Sequence, residues 1–447
     1  MDLSELRDEV AAGRIDTVLL AVADMQGRLQ GKRLAARYFL EEVAEHAAEG
    51  CSYLLAVDVD MNTVAGYAMS SWDQGYGDFV MRPDLSTLRR VPWQEGTAML
   101  MADLVWEDGT DVAVSPRQVL LGQLARLRER GWRAFVGTEL EFVVYNDTYE
   151  DAWRRAYRDL TPANLYNVDY SLLGTARVEP LLRRIRLGME GAGMYVESAK
   201  GECNLGQHEI AFRFTEALAT CDNHAVYKNG AKEIAAQEGM SLTFMAKPNQ
   251  REGNSCHIHL SLRTPEGEPV MAGDGPHGLS ETGRRFIAGQ LAGLRELTLM
   301  NAPNVNSYKR YVPGSFAPTA VKWGVDNRTC AMRLVGHGPS LRIENRVPGG
   351  DVNPYLAVAA MIAAGLHGVE SGLELPEACT GNAYDSGADT VPHTLRDALE
   401  LWEGSEIAQA AFGEDVVAHY ANNARVELTA FEAAVTDWEL FRGFERM

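Results

Sequence analysis

Glutamate and histidine recur at alternate positions in several short stretches, and that spacing is where chemistry can reside. Glu139 and Glu141 lie in Gly137-Thr138-Glu139-Leu140-Glu141-Phe142-Val143, while His257, His259 and Ser261 lie in Ser255-Cys256-His257-Ile258-His259-Leu260-Ser261. Glu209 heads Glu209-Ile210-Ala211-Phe212-Arg213-Phe214, and Arg342, Glu344 and Arg346 alternate through Leu341-Arg342-Ile343-Glu344-Asn345-Arg346-Val347. In a strand successive side chains point to opposite faces, so each stretch shows one apolar face and one charged face. Any one of them alone reads as a solvated sheet face. Together they carry Glu, His and Arg almost exclusively, where a wet face would mix Thr, Lys and Ser. If the faces converge, Glu139, Glu141, Glu202, Glu209 and Glu344 surround one cleft with His257. Carboxylates that close cannot all stay ionised out of water unless cations share the site. Oxygen ligands with one imidazole suit Mg²⁺ or Mn²⁺ better than a thiolate-seeking metal, and such ions hold nucleotide phosphates. With arginines facing anionic oxygens, the pattern points to metal-assisted phosphoryl transfer.

The elements that must position these residues are legible in outline. Val18–Val22 and Arg28–Leu34 read as a hairpin turning at Gly27, followed by a helix from Leu40 to Glu49 closed by Gly50 and a strand from Tyr53 to Val59. Residues 60–77 are irregular, and strands follow at Phe79–Arg82 and Thr97–Trp106. Ser115-Pro116-Arg117-Gln118 reads as a capping box opening a helix that ends at Gly131. Beyond it strands and long helices alternate: the Glu139 strand, helices at Glu179–Gly191 and Glu216–Glu238, the His257 strand, and a helix near Ser280–Met300. Val196 to Glu209 forms a glycine-punctuated loop entering the Glu209 strand, on which Ile210, Phe212 and Phe214 share the apolar face. Strands carrying Arg328 and Glu344 lead to an Asn353-Pro354-capped helix through Leu366, and the tail after Thr394 is helical. Asn304 to Pro318 is polar, bounded by proline and hinged at Gly314, which suits either a lid or a plain surface loop.

The 447 residues, 46% hydrophobic, are enough for a sizeable core and two domains. The net charge of −20 argues against a nucleic-acid groove or an anionic membrane surface, both of which require basic patches. Six scattered cysteines without CxxC spacing indicate neither a zinc ribbon nor a disulfide framework, and fit a reducing cytoplasm. The N-terminus lacks a basic, apolar leader, and no stretch approaches a spanning helix, so a soluble, cytoplasmic protein is expected.

Taken together the motifs resemble the glutamine synthetase family over nearly the whole chain. They are Glu139-Leu140-Glu141-Phe142, Gly206-Gln207-His208-Glu209, His257-Ile258-His259-Leu260-Ser261, Asn306-Ser307-Tyr308-Lys309-Arg310 with Val312-Pro313-Gly314, Asn327-Arg328, and Arg342-Ile343-Glu344 leading to Asn353-Pro354-Tyr355. The resemblance implies an α+β chain with an N-terminal β-grasp domain (residues 14–108) and a larger catalytic domain (residues 115–447), an antiparallel half-barrel flanked by helices. It also implies a homo-oligomer of stacked rings, a dodecamer, with sites between neighbouring subunits. Residue by residue it assigns Glu141, Glu202 and Glu209 to a first metal site and Glu139, His257 and Glu344 to a second. Two or three Mg²⁺ or Mn²⁺ ions are expected per site. Glu197, His259, Ser261 and Arg342 fall where the family contacts ATP; Gly253, His257, Arg310, Arg328 and Arg346 fall where it holds glutamate and the transferred phosphate. ATP must convert the glutamate side chain to an acyl phosphate, because a carboxylate does not react with an amine at neutral pH.

The sequence departs from ammonia-using relatives at the nucleophile. Their lid carries a glutamate immediately before an Ala-Pro pair; here that place is Phe316. Their Asp-Gly-Ser-Ser ammonium loop is replaced by Asp58-Val59-Asp60-Met61-Asn62-Thr63-Val64-Ala65-Gly66. The expectation is a glutamate–amine ligase acting on ethanolamine, a short alkylamine or a polyamine, with Phe316 either packing inside the lid or lying on the amine. Glu202 would take the amine proton, with Arg310 and Arg328 completing the catalytic set. The alternatives are an ammonia-using glutamine synthetase, a silent regulatory or structural relative, and a phosphotransferase lacking a second nucleophile. Tyr384 matches a tyrosine that some relatives modify with a nucleotide, and reads more simply as a loop residue.

Overall fold

The computed structural model describes residues 1–447 and is α+β. An N-terminal sheet is built from β1 (Thr17–Ala23), β2 (Leu29–Ala35), β3 (Ala48–Cys51), β4 (Asp78–Pro83), β5 (Arg89–Arg90) and β6 (Thr97–Val105). Its order is β2-β1-β6-β4-β3, with β5 on β6; β1 and β6 run parallel and the other pairs antiparallel. The expected hairpin forms because Asp24 closes its turn: one carboxylate oxygen accepts from the amides of Gln26 and Arg28 at 3.0 and 2.8 Å, and Gly27 takes φ 75°.

Several local readings are overturned. A helix at Leu3–Ala11 precedes the sheet. The helical stretch after β2 contains a π-helical turn, Phe39–Val43, and ends at His46, where Ala47 rather than Gly50 takes positive φ; Gly50 lies inside β3. Tyr53–Val59 is no strand: Ser52–Leu55 forms a 3₁₀ turn that buries Leu55, so burial mimics a β pattern there. Helix Pro116–Glu129 has its N1 proline, but Ser115 makes no side-chain cap bond, so the capping box is absent.

The second sheet comprises β7 (Arg133–Tyr145), β8 (Val196–Gly201), β9 (Gln207–Phe212), β10 (Thr215–Glu216), β11 (Ser241–Thr243), β12 (Cys256–Arg263), β13 (Trp323–Val325), β14 (Met332–Val335) and β15 (Arg342–Asn345). Its order is β13-β14-β15-β12-β7-β9-β8, with β10 and β11 also on β7. Residues 196–201, expected as loop, are thus an edge strand, and Arg328 lies in the turn between β13 and β14 rather than on a strand. β9 ends at Phe212, leaving Phe214 half-exposed outside the core. Helix Pro354–Glu370, capped by Asn353 on the amide of Tyr355, is buried along nearly its whole length, and no helix is long and apolar enough to cross a membrane.

Arg117 ties the first sheet to a helix packed on β7 of the second. Its guanidinium, 2% exposed, reaches Asp103 at 2.5 Å and Asp84 at 2.6 Å beside the first sheet, and Asp222 at 3.0 Å on helix Ala217–Gln237. The Tyr355 hydroxyl donates to Asp222 from the Pro354 helix at 2.7 Å. Removing one partner of a buried ion network strands the others without a counter-charge. Arg117→Met is therefore expected to cost about 3–5 kcal/mol, read as a lower unfolding midpoint at fixed protein concentration; an unchanged midpoint would show that the network carries no stability.

Candidate active site

β7, at the middle of the second sheet, aims the chemistry. Its alternation puts Glu139 and Glu141 on one face, and strand register brings the partners opposite: Glu139 pairs with His257 on β12 and Glu141 with Glu209 on β9. One strand further out on either side, His259 pairs with Glu344 and Lys200 with Glu209. The four charged faces anticipated from the alternation are thus neighbouring strands.

Two clusters result, Glu139/His257/Glu344 and Glu141/Glu202/Glu209, each with one ligand atom per residue mutually within 4.8 Å. They differ in charge balance. In the first, His257 Nδ1 lies 3.3 Å from Glu139 and 3.4 Å from Glu344, and His259 Nε2 lies 2.9 Å from Glu139. Arg346 and Arg333 approach Glu344 at 2.5 and 2.9 Å. Burial acts to raise both carboxyls, yet these bonds and charges leave Glu139 and Glu344 below the usual carboxylate range. Burial and Arg346 together push the His257 imidazole down.

The second cluster has no such surplus of cations. Glu141 is held by the Ser255 amide and hydroxyl at 2.7 and 2.5 Å and by the Gln207 amide at 3.1 Å. Glu202 has Lys200 as an ion-pair partner. Burial, then the nearby Glu141, nevertheless pushes Glu202 up to about 7, and burial with Glu139 and Glu141 raises Glu209 well above the ordinary value. The site lacks positive charge where its carboxylates are most crowded. Hard divalent cations fit this oxygen-rich, under-compensated set and the one-imidazole set beside it.

Two cavities meet at Glu139. One, of about 290 Å³, is lined by Glu197, His259, Ser261 and Arg342 together with the aromatic rings of Phe135, Phe212 and Phe214. All the residues assigned to nucleotide contact therefore share one wall, and Arg342 Nε donates to His259 Nδ1 at 3.2 Å. The rings offer faces for a flat heterocycle. Sequence reasoning missed them because Phe212 and Phe214 were placed in the core.

The other cavity, of about 280 Å³, gathers all six carboxylate and imidazole ligands with Gly253, Arg310, Arg328, Arg346 and Phe316. Arg310 is buried, and one guanidinium nitrogen donates to the carbonyls of Arg346, Val347 and Pro348, which fixes its orientation. Gly253 must be glycine here: a Cβ would lie 2.4 Å from the Ala246 carbonyl and 2.7 Å from Arg310 Cγ. Arg328 is exposed and forms no ion pair, leaving its charge free for the cavity. Lys200, Arg333, Asp169 and Tyr170 also line it but were not singled out from sequence. The alternation Met332-Arg333-Leu334 opposite Glu344 is the signal that could have found Arg333.

Phe316 stands over this cavity, 59% exposed, with φ 59°. A bulky residue rarely adopts that backbone region. Its carbonyl lies 3.5 Å from Arg346 Nη2, and the next carbonyl, of Ala317, accepts from the Tyr384 hydroxyl at 2.9 Å. Tyr384 is half-buried and its hydroxyl supports the Asn304–Pro318 segment.

Comparison with known proteins places this geometry. Residues 113–442 match the glutamine synthetase catalytic domain. The chain is 70% identical to the gamma-glutamylethanolamide synthetase of Streptomyces coelicolor over 447 residues, covering 100% of this chain and 96% of that protein. It is 36% identical to the glutamate–isopropylamine ligase of a Pseudomonas species over 444 residues, 98% of this chain and 97% of the relative. Among solved structures, a GmaS complex with ADP superposes with a TM-score of 0.86 at 28% identity, covering 98% of this chain and 99% of that one.

The crowding predicts opposite effects of one substitution. In metal-free protein, Glu209→Gln removes the cost of neutralising a crowded carboxyl directly across from Glu141 and is expected to raise stability by about 1 kcal/mol. A saturating divalent cation, at about a hundred times its dissociation constant, should stabilise the parent by about 2.7 kcal/mol and the variant far less. Thermal unfolding with EDTA and with Mn²⁺ checks both; an equal Mn²⁺ response in parent and variant would remove Glu209 from the ligand set.

Proposed function

The chain belongs to the glutamine synthetase family, and from that premise we propose that it joins L-glutamate to a primary organic amine in an ATP-driven reaction through a γ-glutamyl phosphate. The observation that carries the amine reading is the surroundings of Lys200. Its alkylammonium lies 4.8 Å from the centre of the Tyr170 ring and pairs with Glu202. An aromatic face beside a carboxylate is a receptor for a cation on a carbon chain, and the substrate amine is such a cation. Phe316 overhangs the same cavity where a carboxylate would favour bare ammonium. The relatives named for ethanolamide synthesis and isopropylamine ligation support the same substrate class.

The residues divide the work. Arg342, His259, Ser261 and Glu197 orient the nucleotide beside the phenylalanine rings, and Glu139 lies where the two cavities join. Two or three Mg²⁺ or Mn²⁺ ions, bound by Glu141/Glu202/Glu209 and Glu139/His257/Glu344, would polarise the transferred phosphoryl group and offset its charge. Arg310, Arg328 and Arg346 hold the glutamate carboxylates and meet the phosphoryl oxygens as they pass in line to the side chain. Glu202 takes a proton from the incoming ammonium, which frees the lone pair for attack on the acyl phosphate. Assembly into rings fits the strongly exposed Leu172 and Leu173 and the C-terminal Trp438, Phe441 and Phe444, apolar surface that a neighbouring copy would cover.

The test is ATP-dependent phosphate release across a panel of ethanolamine, isopropylamine, putrescine and ammonium. Release is expected to require an organic amine; turnover with ammonium equal to that with the best amine, or build-up of a stable phosphorylated product without amine, would overturn the reading. Phe316→Glu is expected to lower kcat/KM for the organic amine at least tenfold, roughly the loss of one good contact worth about 1.4 kcal/mol, and to raise that for ammonium.

A further inference from the structure

A third cavity, of about 340 Å³, lies between the hairpin turn at Gln26–Gln30 and helix Ala217–Gln237, and shares no lining residue with the two active-site cavities. Three cations converge on it: Arg28 from the hairpin, and Lys228 and Lys232 one turn apart on the helix. Like charges four residues apart on a helix repel, and a partly enclosed cavity strengthens the repulsion. Neither lysine has a carboxylate partner among the ion pairs of the chain. Lys228 Nζ has only the Gly350 carbonyl, at 2.8 Å, and burial, then Lys232, brings its ammonium down to about 8. Both lysines sit over the Phe244 ring, 5.7 and 5.9 Å from its centre.

The surrounding groups do not resolve the imbalance. Arg28 is anchored by Asp24 at 2.7 Å and by the Val59 carbonyl at 2.7 Å, and Asp24 offsets the charge of Lys228 only in part. Asp351 is the single carboxylate lining the cavity; one of its oxygens is taken by Asn304 and Ser307 at 2.9 and 2.6 Å, and its charge offsets Lys228 without outweighing burial and Lys232. On a chain of net charge −20, a cavity with two lysines that no carboxylate pairs is a local conflict of the kind that marks functional sites. The remaining polar lining, Gln30, Asn229 and Thr243, can donate hydrogen bonds to oxygen.

We propose that this cavity binds a small oxyanion carrying two or more negative charges, gripped by Lys228, Lys232 and Arg28. Inorganic phosphate and short dicarboxylates share that chemistry. The occupant would bridge the hairpin and the helix. It would also act on the residue 346–350 loop from one side, through the Lys228 contact with Gly350, while Arg310 holds the carbonyls of the same loop from the other. This inference is independent of which amine the active site accepts.

The experiment is isothermal titration of the full chain with inorganic phosphate in one arm and succinate in the other, with ADP, Mg²⁺ and glutamate saturating the active site throughout. The parent protein should bind at least one of the two with a stoichiometry of one per chain. Lys232→Glu, at the cavity mouth, should weaken that binding at least tenfold while keeping the parental unfolding midpoint and turnover, and Lys232→Arg should restore it. Binding in one arm only identifies the anion as phosphate or dicarboxylate. No saturable binding in the parent, or equal binding in parent and Lys232→Glu, overturns the proposal.

Discussion

Crowding of carboxylates on neighbouring strands is the constraint from which the rest of the site follows. Glu141 faces Glu209 directly across β7 and β9, an arrangement that a sheet disfavours. Each carboxylate on the β12 and β15 side has been given its own compensation: imidazoles for Glu139 and guanidiniums for Glu344. Glu141 is met by hydrogen bonds. What is left uncompensated is concentrated at Glu202 and Glu209, so the deficit of positive charge has a definite place, and a cation entering the cavity gains most there.

The scaffold keeps this unfavourable arrangement rigid. Glu139 and Glu141 lie well inside β7, a strand of 13 residues paired along its length, so neither carboxylate can move away without breaking the ladder. Arg310 comes instead from a 3₁₀ turn, and its position is set by backbone rather than by countercharge. Arg310 is fixed by carbonyls and by the absence of a side chain at Gly253, which leaves its charge unspent for a substrate. Arg117, far from the chemistry, fastens the N-terminal sheet to the helices behind β7 with the same economy, meeting three carboxylates with one cation.

How much of this was legible depended on the range of the interaction. Alternation along a strand is local, so the shared faces of Glu139 with Glu141 and of His257 with His259 could be read directly, and the motifs in order gave the family. Register and edge pairing are not local. Residues 196–201 carry glycine and polar residues and read as loop, yet become β8 because β9 offers them a partner; Lys200 therefore went unweighed. Arg328 reads as strand beside β-forming neighbours but occupies a turn. Tyr53–Val59 has the composition of a strand, and tertiary burial of Leu55 in a 3₁₀ turn overrode it. Phe214 was counted as core from its period-two spacing, but β9 ends two residues earlier and frees it to line the cavity that Glu197 and Arg342 share.

At Phe316, where the sequence leaves two explanations nearly equal, the backbone itself is strained. A side chain placed for packing would be buried, with its backbone relaxed around it. This ring is mostly exposed while its backbone holds a left-handed conformation, a state that costs about 1–3 kcal/mol. The cost is sustained from both sides, by Arg346 on its carbonyl and by Tyr384 on that of Ala317. Ser315 adds a hydroxyl bond to the Val312 carbonyl at 2.6 Å. Those bonds keep an apolar face beside a cavity lined mainly by polar and charged side chains. Packing within its own loop does not account for that orientation, since the ring is mostly exposed and lines the cavity.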